Sequence, residues 1–289
     1  MGKHDLYDEL NGHMHCRDVT EFGRVEGKVV LSDVTHGSHA GTRMHGTGIK
    51  YVAHGTEHYT IGGRNYAVHA GQFLCMSQSL EYHGEVKRGG ERALGICMFV
   101  PADNVGGQGS DLFEVPLVFS ADCSALGRLL RVRHKAMVQP AADRPALAGN
   151  LLAAVETQLE PLMVETLSAL DALPGLKKAT RYESLRRLNR ARGYLHDVTD
   201  RAVDLPELAT YAGMSRFQLL RYFRDCFGAP PATYHRQLRL RLAREAVERS
   251  GLSWADAAHR FGFSDGSSLS HAFRRTFGQA PVRSRREAA

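Results

Sequence analysis

The feature that most constrains this chain is a stretch of its C-terminal part that is written twice. Asp204 to Pro231 reads DLPELATYAGMSRFQLLRYFRDCFGAPP, and Ser253 to Pro281 reads SWADAAHRFGFSDGSSLSHAFRRTFGQAP. Ala209 corresponds to Ala258 and Gly213 to Gly262 at an offset of 49; beyond the glycine the offset becomes 50. Leu219 then matches Leu269, Phe223 matches Phe273, Phe227 matches Phe277 and Gly228 matches Gly278. One residue has been inserted at the turn, with the helical spacing intact on both sides. That is the length change a helix–turn–helix unit tolerates.

Local chemistry agrees. Asp204 and Ser253 are N-caps, each followed three residues later by an acid, Glu207 or Asp256. A small residue at 209 or 258 lets two helices cross closely, and the glycine at 213 or 262 supplies the left-handed turn that ends the first helix. Ser215 followed by Gln218 caps the second helix. On that helix Leu219, Phe223 and Cys226 share one face, and Phe263, the counterpart of Met214, fills the space between helices. Between the copies, residues 232–250 read as one helix carrying Arg236, Arg239, Arg241 and Arg244. At 1.5 Å per residue it rises roughly 28 Å, near the roughly 34 Å that separates successive major grooves on one face of DNA.

Charge separates this region from the rest. Residues 180–289 hold 20 of the 37 Lys and Arg, every one an Arg, against 11 of the 31 Asp and Glu. The Arg fork matches phosphate and guanine edges, so one half of the chain points to nucleic acid. Composition, 43% hydrophobic and 24% charged, excludes a disordered or fibrous chain, and 289 residues suffice for two cores. No apolar run reaches the roughly 18–20 residues that span a bilayer, the N-terminus lacks a signal-peptide core, and Leu6 stands where a myristoylation motif at Gly2 wants Ser or Thr. Five scattered cysteines without a CxxC predict reduced thiols and a cytoplasmic protein.

Residues 24–100 show short apolar segments broken by Gly and polar turns: KVVLSDV, KYVAH, HYTI, NYAVHAGQFLCM and ERALGICMFV, with IGGRNY as a hairpin turn. Strands at this spacing predict a small sandwich or barrel, and their order resembles a cupin-type jelly roll. After Pro116 the period becomes helical, over SALGRLLRVRHKAM and then Leu147, Leu151, Leu152, Val155 and Leu159. Two such helices either cover the open side of a barrel or dimerise through their Leu stripe. LPGLKKAT, from Leu173, reads as a linker.

Eleven of the 15 His lie before residue 180. His54, His58, His69 and His83 are candidates for the lining of a ligand-binding interior. A metal site is not expected: His54-Gly-Thr-Glu57-His58 lacks the His-x-His spacing of metal cupins, and His54 and His58 share a face only on an unbroken strand. His13 and His15 fall in an arm ahead of the barrel.

From Tyr182 to Arg285 the chain resembles the C-terminal domain of AraC/XylS-type transcriptional regulators. The residues that carry this are ELATYAGMSRFQLLRYFRDCFGAPPATYHRQLRLRLA and GFSDGSSLSHAFRRTFGQAP. The resemblance implies sequence-specific binding of double-stranded DNA, commonly as a homodimer that activates transcription and contacts RNA polymerase, with no cofactor. A cupin-like domain ahead of it resembles the effector-binding part of such regulators. Two places depart from the pattern: His271 stands where the first copy has Arg221, and Ser284 where it has Tyr234, although Arg286 still answers Arg236.

The expected fold is therefore α+β in two domains. Residues 1–172 form a cupin-like β-barrel or jelly roll with flanking helices, 173–181 a linker, and 182–289 an all-α domain of two helix–turn–helix units joined by a long helix. The expected readers of the first unit are Arg216, Phe217, Gln218 and Arg221. Arg bonds guanine, Gln bonds adenine and Phe lies on a thymine methyl. In the second unit Ser267, Ser268, Ser270 and His271 hold the same places, and Arg224 and Arg274 are expected on phosphates. The expected function is a DNA-binding regulator, an activator answering a small-molecule effector, with no enzymatic activity, catalytic residue or membrane partner. The alternatives are a constitutive DNA-binding protein whose front half only dimerises, and a metal cupin enzyme fused to a DNA-binding module.

Overall fold

The computed structural model describes residues 17–21, 28–41, 46–77, 79–101, 112–139, 144–173 and 177–278. Gly2, Leu6, His13, His15, Cys16, residues 174–176 of the expected linker, Pro281, Ser284, Arg285 and Arg286 lie outside them. The chain divides into two compact units, Met1–Leu170 and Asp171–Ala289.

The described part of the first unit is strand-rich. In chain order it holds β1 (Arg17–Glu21), β2 (Lys28–Val34), β3 (Gly37–Gly41), β4 (Gly46–His54), β5 (Thr56–Ile61), β6 (Arg64–His69), β7 (Gln72–Ser77), β8 (Tyr82–Val86), β9 (Ala93–Pro101) and β10 (Leu117–Ser120). They form two antiparallel sheets, ordered β1-β2-β9-β4-β7-β10 and β3-β8-β5-β6. Among the described residues both sheets are open, so these strands do not close into the expected barrel. Val52, Leu74 and Met76 of the first sheet meet Tyr59, Ile61, Tyr66 and Val68 of the second in one core.

The two sheets read differently in sequence because they are covered differently. Helix α1 (Ala125–Met137) lies against β4 and β9, burying Leu126, Leu130, His134 and Met137. Strands β4, β7 and β9 are thus buried on both faces and appear as near-continuous apolar runs. In β5 only alternate residues, Glu57, Tyr59 and Ile61, turn inward, leaving the other face to water. The β5–β6 turn is the Gly62-Gly63 pair, φ +55° and +74°, which closes Ile61 against Arg64. Helix α2 runs unbroken from Arg144 to Asp171 and buries Leu151, Val155, Leu159 and Leu162.

The second unit is helical: α3 (Lys178–Asp197), α4 (Leu205–Ala212), α5 (Arg216–Phe227), α6 (Pro231–Ser250), α7 (Trp254–Arg260) and α8 (Gly266–Phe277). Lys178 to Thr180, expected in the linker, form the first turn of α3. Pro231 opens α6 as its first residue, where its missing N–H costs nothing. One side of α6 buries Leu240, Ala243 and Val247 against Trp254, Ala258, Leu269 and Phe273.

Candidate nucleic-acid interface

Each helix–turn–helix unit is fixed by its own local chemistry. In the first, the Asp204 carboxylate accepts from the Glu207 N–H at 2.8 Å, and α4 ends on Gly213 at φ +67°. Ser215 Oγ accepts from the Gln218 N–H at 3.2 Å and opens α5. In the second, Ser253 Oγ accepts from the Asp256 N–H at 3.1 Å, and Asp265 accepts from the Ser268 N–H at 2.6 Å to open α8. That backbone bond, with Ser264 beside it, holds the Asp265 carboxyl below its usual range. Ala209 and Ala258 are both buried.

Glu207 occupies the capping-box place, yet its carboxylate turns elsewhere. It accepts from Tyr194 Oη at 2.6 Å and from Arg201 Nη1 at 2.9 Å, tying α3 and the loop after it to α4. The Arg201 guanidinium, with Tyr194 beside it, lowers the Glu207 pKa to about 2.

The sequence-predicted readers are placed on two helix faces. On α5, Leu219 and Phe223 are fully buried, while Arg216, Phe217, Gln218, Arg221 and Arg224 are exposed. Gln218 is partly committed, since Ser215 Oγ lies 3.2 Å from its Oε1. Arg224 pairs with Asp225 at 3.0 Å. An ion pair so exposed is worth about 0–1 kcal/mol, so Arg224 is free to exchange it for a phosphate. On α8, Leu269 and Phe273 are buried; Ser267, His271 and Arg274 are exposed, and Ser268 and Ser270 half-buried. The outward face of α5 is thus basic and apolar, that of α8 small and hydroxylic.

Sequence reasoning missed three residues. Leu220 stands on the exposed face of α5, 44% open to solvent. Asp265 caps α8. Arg239, grouped with the basic residues of the linking helix, is instead buried: Nη1 donates to Phe261 O at 3.1 Å and Gly262 O at 3.2 Å, and its guanidinium lies 4.9 Å over the Phe263 ring. Burial, with Arg236 nearby, lowers its pKa. Phe263 is half-buried, packed against the core of the second unit and under Arg239, and Phe277 is 39% exposed although it touches Phe273.

The four histidines of the first unit are not gathered around an interior. His54, His69 and His83 are exposed and His58 is half-buried. His54 Nδ1 lies 2.9 Å from Arg92 O, and His69 Nδ1 lies 3.1 Å from Thr56 Oγ1. The cause is a break at Gly55, φ +73°, which sends His54 into β4 of one sheet and His58 into β5 of the other. Among the described residues, no group of three or more His, Cys, Asp or Glu is placed to hold a metal.

This unit instead holds a small, half-open pocket lined by residues of both sheets. Lys50, Tyr59, Tyr82 and Cys97 supply its polar wall, and Leu74 and Met98 part of its apolar one. Lys50 Nζ donates to Ser32 Oγ at 2.5 Å and lies 2.8 Å from Glu57 Oε1; Tyr59 Oη donates to Glu57 Oε2 at 2.6 Å. Burial opposes the charge on Lys50, but Cys97 and Glu57 outweigh it and hold the ammonium above its usual range. No helix among the described residues is long and apolar enough to cross a membrane.

Residues 208–287 match a family model described as a helix-turn-helix domain. The regulator GlxA of Rhizobium meliloti (strain 1021) is 38% identical over 87 residues, covering 30% of this chain and 27% of that protein. The regulator GbdR of Pseudomonas aeruginosa (strain UCBPP-PA14) is 35% identical over 79 residues, 27% of this chain and 22% of that one. The transcriptional activator RhaS of Escherichia coli O139:H28 (strain E24377A / ETEC) is 34% identical over 110 residues, 37% and 40% respectively. The matched region thus spans well under half of each relative. The AraC-like transcriptional activator CuxR overlays at 16% identity and a TM-score of 0.38, over 76% of this chain and 78% of that one, too loosely to bear on the assignment. The duplicated helix–turn–helix, the matched family model and these relatives agree: residues 208–287 form a helix-turn-helix domain similar to those of AraC/XylS-type transcriptional regulators.

Proposed function

We propose that this protein binds double-stranded DNA sequence-specifically and regulates transcription, α5 and α8 entering the major groove as its two readers. The observation that carries this is the pair of outward faces on duplicated units. On each, the helix buries its Leu and Phe and leaves to solvent Arg216, Arg221 and Arg224, or His271 and Arg274. Arg221 is the base reader of the first unit, and Arg224 and Arg274 hold phosphates. Footprinting the full chain on genomic fragments tests this: protected sites with steeply salt-dependent affinity support it, and salt-indifferent binding at random positions sinks it.

A small-molecule effector held in the strand-rich unit completes the proposal, favoured by the pocket beside the Lys50–Glu57 pair. That pair is already neutral, so the fitting ligand is small and uncharged, with an apolar body and one hydrogen-bonding group. Binding would raise the melting temperature of the first unit and alter DNA affinity. Activation through RNA polymerase, a homodimeric state and a cupin-like fold for the first unit belong to the same reading.

A further inference from the structure

Two large apolar side chains stand among the arginines of α5. Phe217 is 73% exposed and Leu220 44% exposed, three residues apart and hence neighbours on one helix face. They are not spare core: Leu219 and Phe223 already fill the inward side. Nor does the unit need them to fold, since α8 carries Ser267 and Ser270 at the corresponding places, on a helix with the same buried Leu and Phe. Single exposed apolar residues need no explanation, but an adjacent pair bordered by Arg216, Arg221 and Arg224 does.

The arginines name the partner, and the major groove offers one apolar group, the 5-methyl of thymine. Cβ atoms three residues apart on a helix are separated by about 5–6 Å, one to two base-pair steps of about 3.4 Å. From the proposed DNA-binding role, we infer that Phe217 and Leu220 form a methyl-reading patch. The α5 half-site then depends on two pyrimidine 5-methyl groups one or two base pairs apart, and the α8 half-site does not. The first half-site is read through methyls and Arg221, the second through hydroxyls and DNA shape.

The test uses the full chain and a synthetic duplex of a footprinted site, with each thymine replaced in turn by deoxyuridine. That replacement removes only the methyl. At two positions one or two base pairs apart the affinity should fall about fourfold, the worth of one buried methyl group. Elsewhere it should change less than twofold. In F217S and L220S, both at exposed positions and checked for an unchanged melting temperature, the affected positions should become indifferent to deoxyuridine. Placing 5-methylcytosine at such a position should restore more affinity than cytosine. Uniform sensitivity across the site, or sensitivity surviving in both variants, overturns the inference while leaving DNA binding intact. Absence of any footprint overturns both.

Discussion

Arg239 on the linking helix donates to the carbonyl of Gly262, 3.2 Å away, at the turn of the second helix–turn–helix unit. The same Nη1 bonds Phe261 O, so one guanidinium satisfies two carbonyls that the end of α7 leaves without helical partners. Gly262 is closed on its other side: a Cβ there would lie 2.3 Å from Asp200 O, in the loop before α4. The turn of the second unit is therefore held between the linking helix and the loop that leads into the first.

Removing Arg239 should loosen that turn. R239M leaves the Phe261 and Gly262 carbonyls without their donor and is expected to cost about 1–3 kcal/mol in urea unfolding of the helical unit. R239K should recover only part of this, because an ammonium cannot reproduce a guanidinium spread over the Phe263 ring. Wild-type stability in R239M would show that the buried contact contributes nothing net.

Gly213 and Gly262 share φ +67° but not their surroundings. Nothing lies within 4 Å of a Cβ at Gly213, so G213A should cost only the left-handed strain, about 1–2 kcal/mol. G262A carries the same strain plus a clash with Asp200 backbone, and its loss should be larger by a margin that denaturant melts resolve. Equal losses would refute the close packing of Gly262 against the Asp200 backbone.

Leu219 and Leu220 are consecutive and opposite. L219A empties a fully buried position and should cost about 2–5 kcal/mol of stability. L220A should change stability by less than about 0.5 kcal/mol. Its effect is expected in DNA affinity instead.

The pH dependence follows from Glu207. Its folded pKa, about 2, lies below the ordinary 4.5, chiefly through Arg201 and then Tyr194. A depressed carboxylate stabilises the fold fully above the unfolded pKa and loses that contribution as pH falls from about 4.5 through 2. The helical unit should melt progressively lower across that window, and E207Q should remove the share of Glu207, leaving that of Glu183, which Arg186 and Arg187 also lower to about 2. Because the pair is exposed, the change should be small and diminish at high salt.

The helical unit was legible because its signals are local: caps at 204, 215 and 253, glycines at 213 and 262, and a repeated Leu and Phe spacing. Arg239 was not, since a buried Arg two turns into a basic helix looks like its solvated neighbours until the partner carbonyls are brought to it. The strand-rich unit was legible as strands but not as an arrangement. Gly55 looks like any turn glycine, yet it decides that His54 and His58 belong to different sheets. Lys50 and Glu57, seven residues apart on the strands flanking that turn, meet only because the two sheets face one another. Leu220 was passed over because periodicity alone does not tell an exposed Leu from a core one.

The measurement closest to the central claim is a hydroxyl-radical footprint of the full chain on a regulated promoter, repeated with R221A and with H271A/R274A. Two protected segments should appear about one helical turn, roughly 10 base pairs, apart on the same face of the duplex. R221A should lose protection in one segment and H271A/R274A in the other. A single segment, or two that weaken together in both variants, would contradict a protein that reads DNA with α5 and α8 as separate helices.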